Sequence, residues 1–250
     1  MHRALLLVAI SLSACAHAFR PADFPTTEGL YRAGVREYQK KRWDNAVAAF
    51  EKLTLDLPAR DTLLPKAYWY LAKAHVAKRE HLLAAQSFAR VTESFPDDTL
   101  ADDALLGAGD AYAKMWRKPT LDAQYGLSAI STYRTLLAIY PNSVLRDAAT
   151  SRASKLEQWF ATKDFDTGMY YLRRKAYDPA ILYFRDVIRL YPNTSKTRDA
   201  YLRLVQAYRA IRYREDARET CLAVRQIYPN DRDVSAACAA FADSTALPSS

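Results

Sequence analysis

Ala180-Ile181-Leu182-Tyr183-Phe184-Arg185-Asp186-Val187-Ile188-Arg189-Leu190-Tyr191-Pro192-Asn193 is the stretch whose reading decides the fold. Its alanine stands twelve residues before the proline and its aromatic Phe184 eight before it. The same register recurs as Ala46, Phe50, Pro58, as Ala84, Phe88, Pro96, and as Ala129, Tyr133, Pro141. A fifth copy, Ala217, Cys221, Pro229, puts cysteine in the aromatic place. Residues four apart share a helical face, so each alanine permits a close helix crossing and each aromatic fills the gap beyond it. Proline then ends the helix, because it cannot donate to the backbone ladder and disfavours helix in the residue before it.

This alanine–aromatic–proline register resembles the second helix of the tetratricopeptide repeat. First helices are recognisable around Leu30 and Gly34, Leu71 and Ala72, Leu105 and Gly109, Gly168 and Tyr171, and Leu204 and Tyr208. An insertion, Trp116 to Tyr125, interrupts the third hairpin. Ser143 to Phe165 reads as one long helix running into the fourth, with Val144, Ala148, Leu156, Trp159 and Phe160 on its apolar side. Asn142-Ser143, Asn193-Thr194-Ser195 and Asp178-Pro179 offer side-chain caps for the helices that follow. Asp231 to Phe241 fits a last helix covering the open end of the stack. The predicted fold is all-α, a right-handed α-solenoid of about five helical hairpins with a C-terminal capping helix.

The first residues bear on location. Met1-His2-Arg3 is a short basic start, Ala4 to Leu12 an apolar run, and Leu12-Ser13-Ala14-Cys15 brings small residues up to a cysteine. The run is too short to span a bilayer, so a signal peptide is the better reading. Leu-Ser-Ala-Cys resembles a bacterial lipobox, in which the thiol of Cys15 takes a diacylglyceryl group and the chain begins there, carrying three palmitate-type acyl chains. The alternative is an ordinary leader cut after Ala18, with no lipid. Ala16, in place of Asp, implies the outer membrane by the lipoprotein sorting rule.

The formal charge is +8, carried by 36 Lys and Arg against 28 Asp and Glu. The basic residues are scattered among acids, which fits a solvated helical surface better than a nucleic-acid footprint. An anionic partner or a lipid surface stays open.

Catalytic signatures are absent from the sequence. His75 and His81 lie six apart and cannot share a helical face as HExxH ligands do, so both read as plain surface or turn residues. No nucleophile elbow, phosphate-cradling glycine loop or Cys-x-x-Cys occurs. Asp97, Asp98, Asp102 and Asp103 lack the glycine and terminal glutamate of a calcium loop and read as helix caps. A binding protein is expected, with no enzyme activity, no metal and no cofactor. Cys221 and Cys238, 17 apart on neighbouring helices, either pair or serve as small buried side chains.

In a tetratricopeptide superhelix the first helix of each hairpin lines the concave side. That resemblance puts Glu28, Tyr31, Val35, Tyr38 and Gln39, then Lys66, Trp69, Lys73 and Val76, then Asp103, Leu106, Asp110 and Lys114 along a groove. Aromatic rings beside lysines suit an extended peptide with aromatic side chains and a free carboxylate. The competing reading has Tyr31 and Trp69 packed between hairpins.

Three local stretches extend the resemblance to a family: Tyr140-Pro141-Asn142-Ser143, Tyr170-Tyr171 with Ala176-Tyr177, and Thr197-Arg198-Asp199-Ala200. With the lipobox and the long helix before the fourth hairpin, they resemble the BamD family of the outer-membrane β-barrel assembly machinery. The resemblance implies a lipid anchor on the inner leaflet of the outer membrane, facing the periplasm. It implies two partners, the C-terminal signals of unfolded barrel precursors and a BamA-like POTRA protein. Residues 1–15 would be the signal peptide ending at Cys15 and 16–26 a tether. Hairpins 1–3 (27–142) would take the client peptide, and 143–230 the BamA-like partner, with Arg198 a candidate for an interfacial ion pair. A capping helix (231–242) and a disordered tail (243–250) would close the chain. A pilotin-type tetratricopeptide lipoprotein for secretin assembly is the alternative, though the proline spacings of 38, 45, 51 and 37 depart from its expected uniform 34.

Overall fold

A computed structural model describes residues 19–116 and 123–241. Cys15, most of the insertion after Trp116 and the expected tail lie outside the described residues. Among the described residues there are eleven α-helices and no strand. They are α1 (Thr27–Gln39), α2 (Trp43–Asp56), α3 (Leu64–Ala77), α4 (His81–Ser94), α5 (Ala101–Met115), α6 (Gln124–Ile139), α7 (Arg146–Arg173), α8 (Tyr177–Leu190), α9 (Thr197–Ala210), α10 (Arg214–Ile227) and α11 (Arg232–Ala237). Each helix from α1 to α10 packs chiefly on its neighbours in sequence, which makes a linear stack of antiparallel hairpins.

The sequence register explains the packing. Ala46, Ala84, Ala129, Ala180 and Ala217 are fully buried at the crossings, and Phe50, Phe88, Tyr133, Phe184 and Cys221 are buried beside them. Each aromatic lies against a glycine of the facing helix. A Cβ at Gly109 would sit 2.4 Å from the Tyr133 ring, and one at Gly168 would sit 2.7 Å from Phe184. Only glycine permits that approach.

Four of the hairpin turns share one backbone solution. The amide of Arg42 donates to Glu37 C=O, Glu80 to His75, Ala176 to Tyr171 and Tyr213 to Tyr208, closing the same six-residue helix stop. The residue before each donor has positive φ: Lys41 (59°), Arg79 (63°), Lys175 (59°) and Arg212 (64°). Because the stop feeds directly into the next helix, Asp178-Pro179 does not cap α8. That helix starts at Tyr177, and no side chain caps it. Asn142 and Asn193 also fail to cap; Ser143 Oγ instead accepts the Leu145 amide, and the Thr194 hydroxyl donates to Tyr191 C=O. Asp98 does accept the Leu100 amide at the start of α5.

The 28-residue α7 continues into the fourth hairpin as expected. Its first half packs on α6 and its second on α8. At its middle, Phe160 is 2% exposed, stacks on Trp116 at 4.7 Å and faces Tyr191 at 6.2 Å. Arg134 bonds Glu157 at 2.7 Å and reaches Leu190 C=O, and Gln158 accepts the Ser195 amide at 2.9 Å. The turn end of hairpin three therefore meets the loop end of hairpin four at mid-helix.

Both chain ends depart from simple expectation. Phe19 and Phe24 flank a 3-10 turn (Pro21–Asp23) and pack on the core of the first two hairpins, so part of the expected tether is folded. At the other end α11 is only six residues long, with Asp231 accepting from the amides of Asp233 and Val234. Cys221 and Cys238 are joined in a disulfide that ties this cap to α10, with Cα atoms 5.6 Å apart.

Candidate functional site

Helices α1, α3 and α5 carry the residues expected to line the groove, and the packing of α1 on α3 brings part of that set together. Tyr31 meets Tyr70 edge-on at 6.0 Å, and Tyr38 meets it at 5.6 Å. Tyr70 in turn stacks on Phe50 at 5.3 Å. Lys73 Nζ lies over three rings, Tyr38 (5.4 Å), Trp69 (5.7 Å) and Tyr70 (5.8 Å). A cation held over ring faces is favoured by their negative quadrupole.

Next to this cluster is a mainly apolar cleft of about 300 Å³. Tyr38, Lys73, Val76, Asp110 and Lys114 of the expected groove line it, together with Phe88. Asp110 is held from two sides, by the Tyr133 hydroxyl at 2.7 Å and Arg152 at 2.8 Å. Gln39 is exposed but does not line the cleft. Tyr31 and Trp69 are half-buried and pack on neighbouring rings, Tyr31 against Phe50 and Tyr70 and Trp69 edge-on against Phe88 at 5.2 Å, and neither lines the cleft.

Electrostatics at the site follow burial. Desolvation first, then the neighbouring Tyr70, pushes the Tyr31 and Tyr38 phenols above their ordinary range. Asp103 is raised by burial and by Asp102, while Lys73 pulls it back. Tyr70 escaped the sequence reading because repeat-position rules mark the concave face of a single helix. It reaches the site only through the packing of α1 on α3.

The other sequence-marked residues have structural settings. Arg198 chelates Asp231 with Nε at 2.6 Å and Nη2 at 2.8 Å, and also bonds Asp233 at 2.6 Å and Asp199 at 3.1 Å. This guanidinium, with two helix-start amides, holds Asp231 down to about 2. Arg198 is thus engaged within the chain. His75, expected at the surface, is buried and bonds Glu80 at 2.7 Å. Among the described residues no group of three or more His, Cys, Asp or Glu is placed to hold a metal. None of the described helices is long and apolar enough to cross a membrane. A second cleft of about 610 Å³, more polar, lies between α8, α9 and α10, lined by residues including Arg185, Arg189, Asp216 and Glu219.

The fold and the cleft define the class, a tetratricopeptide-type stack of helical hairpins with an open, aromatic-lined groove. A family model described as YfiO, outer membrane lipoprotein, matches residues 25–223. The chain belongs to this family, the BamD family of outer membrane lipoproteins. It is 26% identical over 237 residues to the outer membrane protein assembly factor BamD of Caulobacter vibrioides, covering 92% of this chain and 76% of that one. To the BamD of Haemophilus influenzae it is 20% identical over 215 residues, 82% of each chain. Among solved structures it is similar to the TPR2AB domain–pHSP90 complex of yeast Sti1, with a TM-score of 0.42 and 15% identity over 86% of this chain and 83% of that one. A thermophilic TPR protein of Thermus thermophilus gives 0.38 and 17% identity, over 86% and 98%.

Proposed function

We propose that the chain is a lipid-anchored scaffold of an outer-membrane β-barrel assembly machinery, held by Cys15 at the periplasmic face. Its first three hairpins take the C-terminal signals of unfolded barrel precursors, and residues 143–230 dock the POTRA domain of a BamA-like protein. The observation that carries the reading is Lys73 over Tyr38, Trp69 and Tyr70 beside an apolar cleft. A chain end offers an aromatic side chain and a carboxylate together. The rings and Phe88 supply apolar surface for the first, and the ammonium pairs with the second. Family membership supports the location. Phe19 is four residues from Cys15, a separation that spans at most ~14 Å, so the anchor would keep the first hairpin near the bilayer.

On the docking side, Arg198 at the start of α9 fixes the cap through Asp231 and Asp233. Its partner Asp233 is 74% exposed, so a docking carboxylate can replace it without disturbing the Asp231 chelate. The test is purification of the lipidated chain in mild detergent from its own organism, probing for a POTRA-containing barrel protein. Its absence would remove the assembly reading. Arg198→Glu is expected to cut its recovery about five-fold or more, consistent with loss of a charged interfacial contact. Asp233→Asn should leave recovery intact. Equal recovery with Arg198→Glu would take that residue out of the interface.

A further inference from the structure

We propose that the turn end of hairpins four and five is a second membrane contact, a basic and tyrosine-bearing tip that rests on anionic phospholipid headgroups. The inference builds on the anchored reading above, since it takes a bilayer to be close by, but it concerns a surface that the lipid anchor does not touch.

The first observation is where the charge sits. In the four described turns within hairpins (40–42, 78–80, 174–176 and 211–213), eight residues are Lys or Arg and one is Glu, a formal charge of +7. The five connections between hairpins and to the cap (57–63, 95–100, 140–145, 191–196 and 228–231) hold two Lys or Arg and four Asp, a charge of −2. Consecutive helices run antiparallel, so within each half of the stack turns and connections fall on opposite edges, the two halves being offset along the long α7. The scattered basic residues of the sequence are thus sorted by the fold.

A second observation is the conformation of the cations. All four positive-φ residues other than glycine among the described residues are Lys41, Arg79, Lys175 and Arg212. That helix-stop position favours glycine, and a side chain there is held at a conformational cost. Such outliers point towards function. All four side chains are exposed.

Third, the two halves of the molecule differ. In hairpins one and two, Arg42 is paired with Glu37 and Lys78 with Asp44 and Glu80, while Lys40, Lys41 and Arg79 are exposed and make no ion pair with a described carboxylate. In hairpins four and five, Arg173, Arg174, Lys175, Arg212 and Arg214 are exposed and make no ion pair with a described carboxylate, and these five outnumber the three exposed acids of the adjoining helix starts, Asp178, Glu215 and Asp216. Tyrosines accompany them: Tyr170 is 44% exposed beneath the Arg174 guanidinium at 4.2 Å, and Tyr213 is 54% exposed. The last thirteen residues of α7 carry this tip ~20 Å beyond the joint at Phe160. Unpaired cations on a projecting end, interleaved with half-exposed tyrosines, match the chemistry of a lipid headgroup region. There phosphates take the charge and the amphipathic rings sit at the boundary. Neither of the two clefts described above is lined by these turn residues, so the tip does not read as a pocket for a folded ligand. Acyl chains hold a protein at the bilayer but leave its tilt free; a second, electrostatic contact would fix how the rod lies.

The test uses the full chain with Cys15→Ala, which carries no lipid, and vesicles of phosphatidylcholine with or without about one-third phosphatidylglycerol. Neutral vesicles report any binding by the apolar leader, and the difference between the two reports charge. The expected result is sedimentation with the anionic vesicles that fades at high salt. Lys175→Gly with Arg212→Gly should lower that partitioning about ten-fold or more. Glycine suits the positive φ at both positions, so this variant removes charge without unfolding the turns. Lys41→Gly with Arg79→Gly should leave the partitioning nearly unchanged. Equal loss from both pairs would reduce the effect to net charge and overturn the proposal. Retention on immobilised polyglutamate but not on anionic vesicles would overturn it in favour of an acidic protein surface. Neither failure touches the assembly reading, which rests on what co-purifies with the lipidated chain.

Discussion

Phe160→Ala is expected to destabilise the chain by about 3–5 kcal/mol and to split its unfolding into two steps. Phe160 is buried at the middle of α7, stacked on Trp116 from the end of α5 and facing Tyr191 from the end of α8. A Cβ at Gly126 would stand 2.7 Å from its ring, so α6 closes the fourth side. Stacked hairpins are stable through nearest-neighbour interfaces, so loss of one interface weakens the coupling across it more than the hairpins on either side. Chemical denaturation read by far-ultraviolet circular dichroism should show one transition in the parent chain and two in the variant, the earlier displaced to lower denaturant. A single transition at the parental midpoint would mean that the α7 backbone alone couples the halves.

Much of this architecture was legible because each hairpin repeats the same local physics. Ala180 and Phe184 are buried where a helix-crossing argument puts them, and Pro192 follows the helix end. The long helix was legible for the same reason, since no proline or glycine interrupts Arg146 to Asp166. What escaped depends on contacts between distant residues. Arg198 read as a candidate for an interfacial ion pair, and its pairing within the chain escaped because Asp231 and Asp233 lie 33 and 35 positions away, on a cap whose fold-back no local pattern encodes. The pairing of Cys221 and Cys238 stayed open for the same reason. Asp178 read as a cap because its sequence suits one, yet the helix stop at Lys175 sets the start of α8 without it. The remaining ring of the site, Tyr70, emerged only from the packing of one hairpin on the next.

Lys73→Glu is expected to weaken binding of a barrel-protein C-terminal peptide by at least about ten-fold, with little change in thermal stability. The ammonium is half-exposed above Tyr38, Trp69 and Tyr70, at 5.4 to 5.8 Å from their centroids, and it pairs with no carboxylate among the described residues. It lies against the ring faces and is attracted by Asp103 without forming an ion pair, so it is left with donors to offer an incoming carboxylate. A glutamate there would face the negative ring quadrupoles, stand near Asp103 and repel a peptide carboxylate. Lys73→Arg keeps the charge over the rings and should restore most of the affinity, which a role in folding alone would not explain. Amidating the peptide C-terminus should cost the parent protein a similar factor and cost Lys73→Glu little, because the two changes remove the same pair. Losses that simply add would mean the carboxylate binds elsewhere, and the cleft beside Phe88 would then read the aromatic side chain without the chain end.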